Sequence, residues 1–251
     1  MTGQYDRSFY EVFRDGSASS AEVIVALLLA RFPAASVVDL GCGIGAWLRA
    51  FERNGVTDYL GLDGDYVSAE TLLIPADRFR AVDIPRLSDV GRRFDIACSL
   101  EVAEHLLPEC AARFVALLTQ AAPVVLFSAA IPRQGGVDHV NEQWQSYWAG
   151  LFASHGYVAL DCIRPAVFGN PDVEWWYRQN TLVYCDRNHV PNGLEPVSDR
   201  YVLDRADPGM IEAMLQPGSI RTALSAIARD ISALNGAIGR KVSGRRKASP
   251  N

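Results

Sequence analysis

The chain has 251 residues, 49% hydrophobic and 21% charged, with a net charge of −5 and a pI near 5.4. That balance suits one folded body with a sizeable core, excludes a disordered chain, and gives no general field to attract nucleic acid. Cys42, Cys98, Cys110, Cys162 and Cys185 are odd in number and form no C-x-x-C pair, which excludes a disulfide framework and a zinc knuckle. Without an apolar leader or a run long enough to span a bilayer, a soluble cytoplasmic protein is expected.

In chain order, short β-branched runs alternate with longer amphipathic ones, the pattern of an α/β fold with a parallel sheet and crossover helices. A helix is predicted over residues 18–30 and a strand over 36–40. A second helix begins after Gly45, with Trp47, Leu48 and Phe51 on one face. Strands follow at 59–62, 78–82, 94–99 and 124–128, with a helix over 108–120 before the last of these. A helix carrying Trp144, Tyr147, Trp148 and Phe152 then runs to near Gly156, and strands follow at 158–162 and 181–184.

Residues 1–188 are read as one domain and 189–251 as a C-terminal helical extension. In the extension Ile220, Leu224, Ile227, Ile231, Leu234 and Ile238 recur at alternating spacings of four and three, which makes a single apolar stripe. Three readings of the stripe stay open: it lies back on the body, pairs subunits in a homo-oligomer, or meets a membrane surface. The tail Arg240-Lys241 and Arg245-Arg246-Lys247 is read either as a disordered terminus or as an anchor for an anionic partner.

Two short clusters carry the chemistry. In Val38-Asp39-Leu40-Gly41-Cys42-Gly43-Ile44-Gly45, glycines clear the backbone at a strand-to-helix turn whose free amides can hold polar ligand groups. The pattern also occurs in dinucleotide-binding proteins, and a tight turn alone would account for it. Asp39, however, would repel a pyrophosphate and suits a cationic or amino-bearing ligand. Asp63, closing strand two, can take ribose hydroxyls, and Asp83, closing strand three, can face an adenine amino group. Three carboxylates around one pocket suit a ligand without phosphates.

With Leu60-Gly61-Leu62-Asp63-Gly64-Asp65, Ala81-Val82-Asp83-Ile84 and Phe94-Asp95-Ile96-Ala97-Cys98-Ser99-Leu100-Glu101, the chain resembles the class I S-adenosylmethionine-dependent methyltransferases over about residues 18–185. The resemblance implies a seven-stranded Rossmann-like sheet of order 3-2-1-4-5-7-6, the seventh strand antiparallel, with helices on both faces. It implies S-adenosylmethionine as cofactor: Gly41 and Gly43 against the methionine part, Asp63 with Gly64 at the ribose, Asp83 and Ile84 at the adenine, and Leu100 at the methyl-bearing end.

The second cluster is Glu101-Val102-Ala103-Glu104-His105. On a helical turn Glu101, Glu104 and His105 fall at i, i+3 and i+4 and can share one cation. His139 follows the strand 124–128, whose end should neighbour that of strand 94–99, so a fourth ligand is expected there. Such oxygen and nitrogen donors suit Mg²⁺, Mn²⁺ or Fe²⁺ better than structural zinc and leave catalytic zinc open; Mg²⁺ or Mn²⁺ is expected. The bland reading is a charged helix start with His105 as a cap and His139 in a loop. The run is similar to the metal site of ubiquinone-pathway and small-RNA 2′-O-methyltransferases, although the surroundings of His139 depart from the RNA enzymes' pattern.

Methyl transfer to oxygen needs an activated hydroxyl, and His105 and His139 are its candidate catalytic groups, His139 as a ligand or as general base. Glu142 can orient His139, ligate the ion, or cap a helix beginning near Asn141, the last being preferred. Trp144, Tyr147 and Trp148, with Trp175-Trp176-Tyr177 in a loop-like stretch, can face a sugar or a planar ring, or simply pack the core. The run Gln134-Gly135-Gly136-Val137-Asp138-His139 can form a mobile loop over substrate. Phe127-Ser128-Ala129-Ala130-Ile131-Pro132 with Gln134-Gly135-Gly136, and His139-Val140-Asn141-Glu142-Gln143-Trp144, extend the resemblance to bacterial saccharide and secondary-metabolite O-methyltransferases.

Metal-assisted O-methylation of a sugar-type small molecule or oligosaccharide is therefore expected, with a quinone, phenol or other secondary metabolite as the alternative acceptor. A nicotinamide-dependent oxidoreductase and a non-catalytic cofactor-binding protein are the readings from other classes.

Overall fold

The computed structural model describes residues 7–215, with side chains from Gly16 onward. The apolar stripe from Ile220 to Ile238 and the basic tail lie outside the described residues. Residues Met1–Asp207 form one compact unit and Pro208–Asn251 a second, of which helix α8, Pro208–Leu215, is described. Among the described residues no helix is long and apolar enough to cross a membrane.

The first unit is built on strands β1 (Ser36–Leu40), β2 (Asp58–Asp63), β3 (Phe79–Ala81), β4 (Ile96–Leu100), β5 (Val124–Ser128), β6 (Tyr157–Leu160) and β7 (Leu182–Asp186). They form one sheet of order β3-β2-β1-β4-β5-β7-β6, with β7 antiparallel to both its neighbours and the other pairings parallel, as expected. Helices α1 (Arg7–Leu29), α2 (Ala46–Arg53), α3 (Ala111–Ala121), α4 (Gln145–Ala153), α5 (Arg164–Val167), α6 (Trp175–Asn180) and α7 (Arg200–Leu203) complete it.

Both faces of the sheet are covered, so its central strands are buried throughout. Ile96, Cys98, Val124 and Leu126 join α1 and α2 in one core, where Ala21, Ile24, Val25 and Leu28 fall at helical spacing and are fully buried. The alternate residues Ala97, Val125 and Phe127 join α3 and α4 in the other, with Phe114, Val115, Leu118, Trp148 and Phe152. Each such Leu, Ile or Phe side chain contributes about 1.5–3 kcal/mol by leaving water.

Several boundaries differ from expectation. Helix α1 begins at Arg7 rather than residue 18. The residues Trp175, Trp176 and Tyr177, expected in a loop, open α6 instead, because Tyr177 packs its ring edge-on to Trp47 in the core. The body also continues past residue 188. Val197 N donates to Ala159 O beside the edge strand β6, Ser146 N and Oγ donate to Asp204, and Arg164 donates to the Val202 and Leu203 carbonyls.

Candidate active site

The register Leu40↔Leu62, Val38↔Ala97 and Leu100↔Ser128 brings the carboxyl ends of β1, β2, β4 and β5 to one edge. Strand order reverses beside β1, where ligands of open α/β sheets bind. Gly41, Gly43 and Gly45 all take left-handed conformations, with φ of 87°, 52° and 88°. A Cβ on Gly41 would stand 2.4 Å from Val102 Cγ2, so this glycine lets the β1 and β4 loops touch; Gly43 borders open space.

Asp63 Oδ2 accepts from Gly43 N and Oδ1 from Gly64 N, each at 2.6 Å, and Tyr66 donates its hydroxyl to Oδ1. A carboxylate offers about four lone-pair sites, so Asp63 retains acceptor capacity. Asp39 is 1% exposed, and its Oδ2 has no hydrogen-bond partner. Burial, with the neighbouring Asp63 charge adding to it, raises the Asp39 carboxyl to about 8. An orphaned buried carboxyl beside the glycine turn fits a ligand that brings an amine or a cation. Leu100 ends β4 and is buried. Asp83 lies two residues past β3, exposed and paired with Arg86 at 3.5 Å, and Ile84 beside it is half-buried.

The second cluster departs from one helical turn. Only Ala103–His105 forms a 3-10 turn, and Glu101 takes φ 55° as its N–H bonds the Ser128 carbonyl at 3.0 Å. Glu104, His105 and His139 nevertheless come together, one ligand atom from each lying within 4.8 Å of the others. The rings of His105 and His139 meet edge-on at 4.9 Å. Glu104 is fully buried; its carboxylate oxygens lie outside good hydrogen-bond geometry, with the Glu101 carboxyl and the Ala130 backbone as polar neighbours. Burial drives its carboxyl well above the ordinary range, with the Glu101 charge adding to the rise. Burial first, and His139 second, hold the His105 imidazole below its ordinary value, which favours the neutral, ligating form.

Three converging donors, one a buried carboxylate, fit a divalent cation. Glu101, expected as a further ligand, stands outside that trio: its carboxyl neighbours that of Glu104, and its Oε1 accepts from Asn180 Nδ2 at 3.1 Å and its Oε2 from Gln134 Nε2 at 3.0 Å. Burial raises this carboxyl and those amides oppose the rise.

The loop between β5 and α4 is tied down. Val140 N and Asn141 N both donate to the Glu104 carbonyl, at 2.9 and 3.0 Å. Glu142 caps no helix, since α4 starts at Gln145; its Oε2 accepts from Arg133 N and its Oε1 from Gly135 N, both at 2.7 Å. The same Oε1 lies 3.2 Å from His139 Nδ1, which sets the ring. Gly136 is required by close approach, because a Cβ there would stand 2.2 Å from His139 Nε2. Trp148 is core, whereas Trp144 and Tyr147 are 39% and 37% exposed.

Gln134 opens the run that leads to His139, whereas the adjacent Gln179 and Asn180, some 45 positions further on, belong to no sequence motif. Their one sequence signal is polar amides set beside the apolar residues Tyr177 and Leu182.

A family model described as a methyltransferase domain matches residues 13–159, more than half of the sequence. The chain belongs to the methyltransferase-domain family. Over 84 residues this methyltransferase is 32% identical to a ubiquinone biosynthesis O-methyltransferase of Bartonella bacilliformis, a match covering 31% of this chain and 34% of that protein. The chain therefore aligns with about a third of the length of that curated relative.

Among solved structures it is similar to a sugar N-methyltransferase from a Streptoalloteichus species, with 17% identity and a TM-score of 0.54 over 74% of this chain and 96% of the other. It is likewise similar to an O-methyltransferase family protein from Burkholderia thailandensis, with 14% identity and a TM-score of 0.50 over 73% and 60%. At these identities the likeness is one of fold.

Proposed function

We propose that this methyltransferase transfers a methyl group from S-adenosylmethionine to a hydroxyl of a sugar-like substrate, with a divalent ion held by Glu104, His105 and His139. The observation that carries the reading is the buried Glu104 carboxylate converging with two imidazoles beyond the end of β4, next to the glycine turn.

S-adenosylmethionine supplies a methyl group on a sulfonium. Asp39 and the Gly41–Gly43 backbone would meet its amino-acid part, Asp63 with Gly64 its ribose, Asp83 and Ile84 its adenine, and Leu100 would line the methyl end. A divalent ion lowers the pKa of a hydroxyl beside it. The chain's task is to align that oxygen with the methyl carbon, so that the new C–O bond forms as the C–S bond breaks. In the tautomer that donates Nδ1–H to Glu142, His139 would keep its Nε2 lone pair for the ion or, in a metal-free site, for the hydroxyl proton. Trp144 and Tyr147 offer exposed rings on the same loop and helix for the apolar face of a sugar. The similarity to a ubiquinone biosynthesis O-methyltransferase favours a second acceptor class, quinones and phenols.

The test is calorimetric titration of Mn²⁺ into protein loaded with S-adenosylhomocysteine, for the native chain, Glu104→Ala and His139→Ala. Binding that both substitutions weaken by at least about 10-fold is expected. Absence of binding to the native chain would replace this reading with metal-free transfer using His139 as base. Release of S-adenosylhomocysteine across a panel of vicinal-diol sugars and dihydroxyphenols then separates the acceptor classes.

A further inference from the structure

Glu101 has the position of a ligand and the contacts of a strut. Its carboxylate meets that of Glu104 on one side and terminates a network of side-chain amides on the other. Gln134 Oε1 accepts from Ile131 N at 3.2 Å, Gln179 Nε2 at 2.9 Å and Asn180 Nδ2 at 2.9 Å, which leaves Gln134 Nε2 for Glu101. Flipping that amide would set its NH₂ against three donors, so its orientation is fixed. Asn180 is fixed likewise, since its Oδ1 accepts from Gln179 Nε2 at 3.0 Å and its Nδ2 faces Glu101. Gln179 Oε1 accepts from the Asp207 peptide N–H at 2.8 Å. Gln179 and Asn180 are each 2% exposed, and the amide donors of Gln134 and Asn180 converge on the Glu101 carboxylate.

Gln134 belongs to the loop that carries His139 and Glu142. We infer that Glu101 and its amide partners Gln134 and Asn180 are positioning residues: the carboxylate anchors the His139 loop and does not lend an oxygen to the ion. The inference rests on the proposed metal reading for its consequence, because the loop sets where His139 stands relative to Glu104 and His105. It leaves a three-donor site whose remaining positions are open to substrate oxygens.

Exchanging the two side-chain chemistries tests this. Gln134→Glu sets one carboxylate against another and keeps an acceptor for Ile131 N, Gln179 Nε2 and Asn180 Nδ2. Adding Glu101→Gln restores an amide-to-carboxylate hydrogen bond of reversed polarity with the net charge of the native pair. Hydrogen exchange of the amides of residues 133–141 and Mn²⁺ affinity are read in protein loaded with S-adenosylhomocysteine. Gln134→Glu is expected to speed exchange in the loop and weaken Mn²⁺ by about 10-fold, the scale of outer-sphere changes at metal sites. The double variant should return both toward native values, and Glu104→Gln should lose Mn²⁺ outright.

If the double variant recovers slow exchange yet binds Mn²⁺ as poorly as Glu104→Gln, Glu101 is itself a ligand and the inference is overturned. If the native chain binds no Mn²⁺, the metal reading fails by itself, and failure of the exchange to recover in the double variant would overturn the anchoring separately.

Discussion

Asp39 holds a proton in the folded chain that it would lose in the unfolded one. Its carboxyl titrates near 3.8 when free and near 8 in the fold, with burial the main cause. Between those values the folded state binds the extra proton, so stability falls as pH rises. The contribution is whole below about pH 4 and gone above about pH 8. Asparagine keeps the shape and cannot ionise. Asp39→Asn is therefore expected to raise the melting temperature of ligand-free protein by several degrees at pH 8 and by little at pH 4–5, at roughly 2–4 °C per kcal/mol for a domain of this size. Affinity for S-adenosylhomocysteine should fall in the same variant, because the amine then loses its carboxylate. Melts from pH 4 to 8.5 check this, and parallel native and variant curves would rule out the raised carboxyl. Asp39 was legible in the sequence because it stands two residues before a glycine turn. Glu142 was visible as a partner for His139, but its main work, gathering the Arg133 and Gly135 amides, was hidden because no pattern shows that α4 starts as late as Gln145.

Helix α3 shows how one element is closed by another. The last carbonyls of any helix lack partners within it, and here the Tyr157 hydroxyl at the start of β6 lies 2.8 Å from Thr119 O and 2.7 Å from Ala122 O. Tyr157→Phe keeps the ring in its aromatic cluster and removes the donor. It should cost about 1 kcal/mol, read as a fall in melting temperature of about 2–4 °C. S-adenosylhomocysteine and Mn²⁺ affinities should not change, since the start of β6 lies at the sheet edge opposite the glycine turn; a change in either would mean that α3 carries strain into the site. The periodicities of these elements were plain in the sequence: β1 and β5 fall where alternating burial on a two-sided sheet predicts, and α3 begins close to its expected start. The short β3 and the helical α6 were not, because β3 is an edge strand of three residues and α6 is shaped by Tyr177 meeting Trp47. The clusters around Gly41 and Glu104 were legible because their residues are close in sequence. The amides of Gln134, Gln179 and Asn180 were not, because folding alone brings residues some 45 positions apart into contact.

Across the whole first unit, Arg164 is the point at which the last residues of the body are held. It is 2% exposed, pairs through Nε and Nη2 with both oxygens of Asp161 at 2.8 Å, and donates to Leu203 O at 2.6 Å and Val202 O at 3.1 Å. A planar guanidinium can serve all of these at once, and an ammonium cannot. Arg164→Met fills much of the volume but leaves Asp161, itself 6% exposed, with only Arg205 at 3.6 Å, and leaves the α7 carbonyls without donors. Breaking a buried pair from one side typically costs about 3–5 kcal/mol. The consequence is expected to reach further than α7, because Asp207 N is the donor that fixes Gln179, and Gln179 supports the amides on Glu101. Arg164→Met should therefore speed hydrogen exchange over residues 197–207 most and over 133–141 to a lesser degree, with S-adenosylhomocysteine binding at the glycine turn retained. Arg164→Lys should fall between native and Met. Faster exchange confined to 197–207 would show that the amide network stands without its outer end, whereas spread to the His139 loop would show that the segment closing the body also sets the geometry of the site.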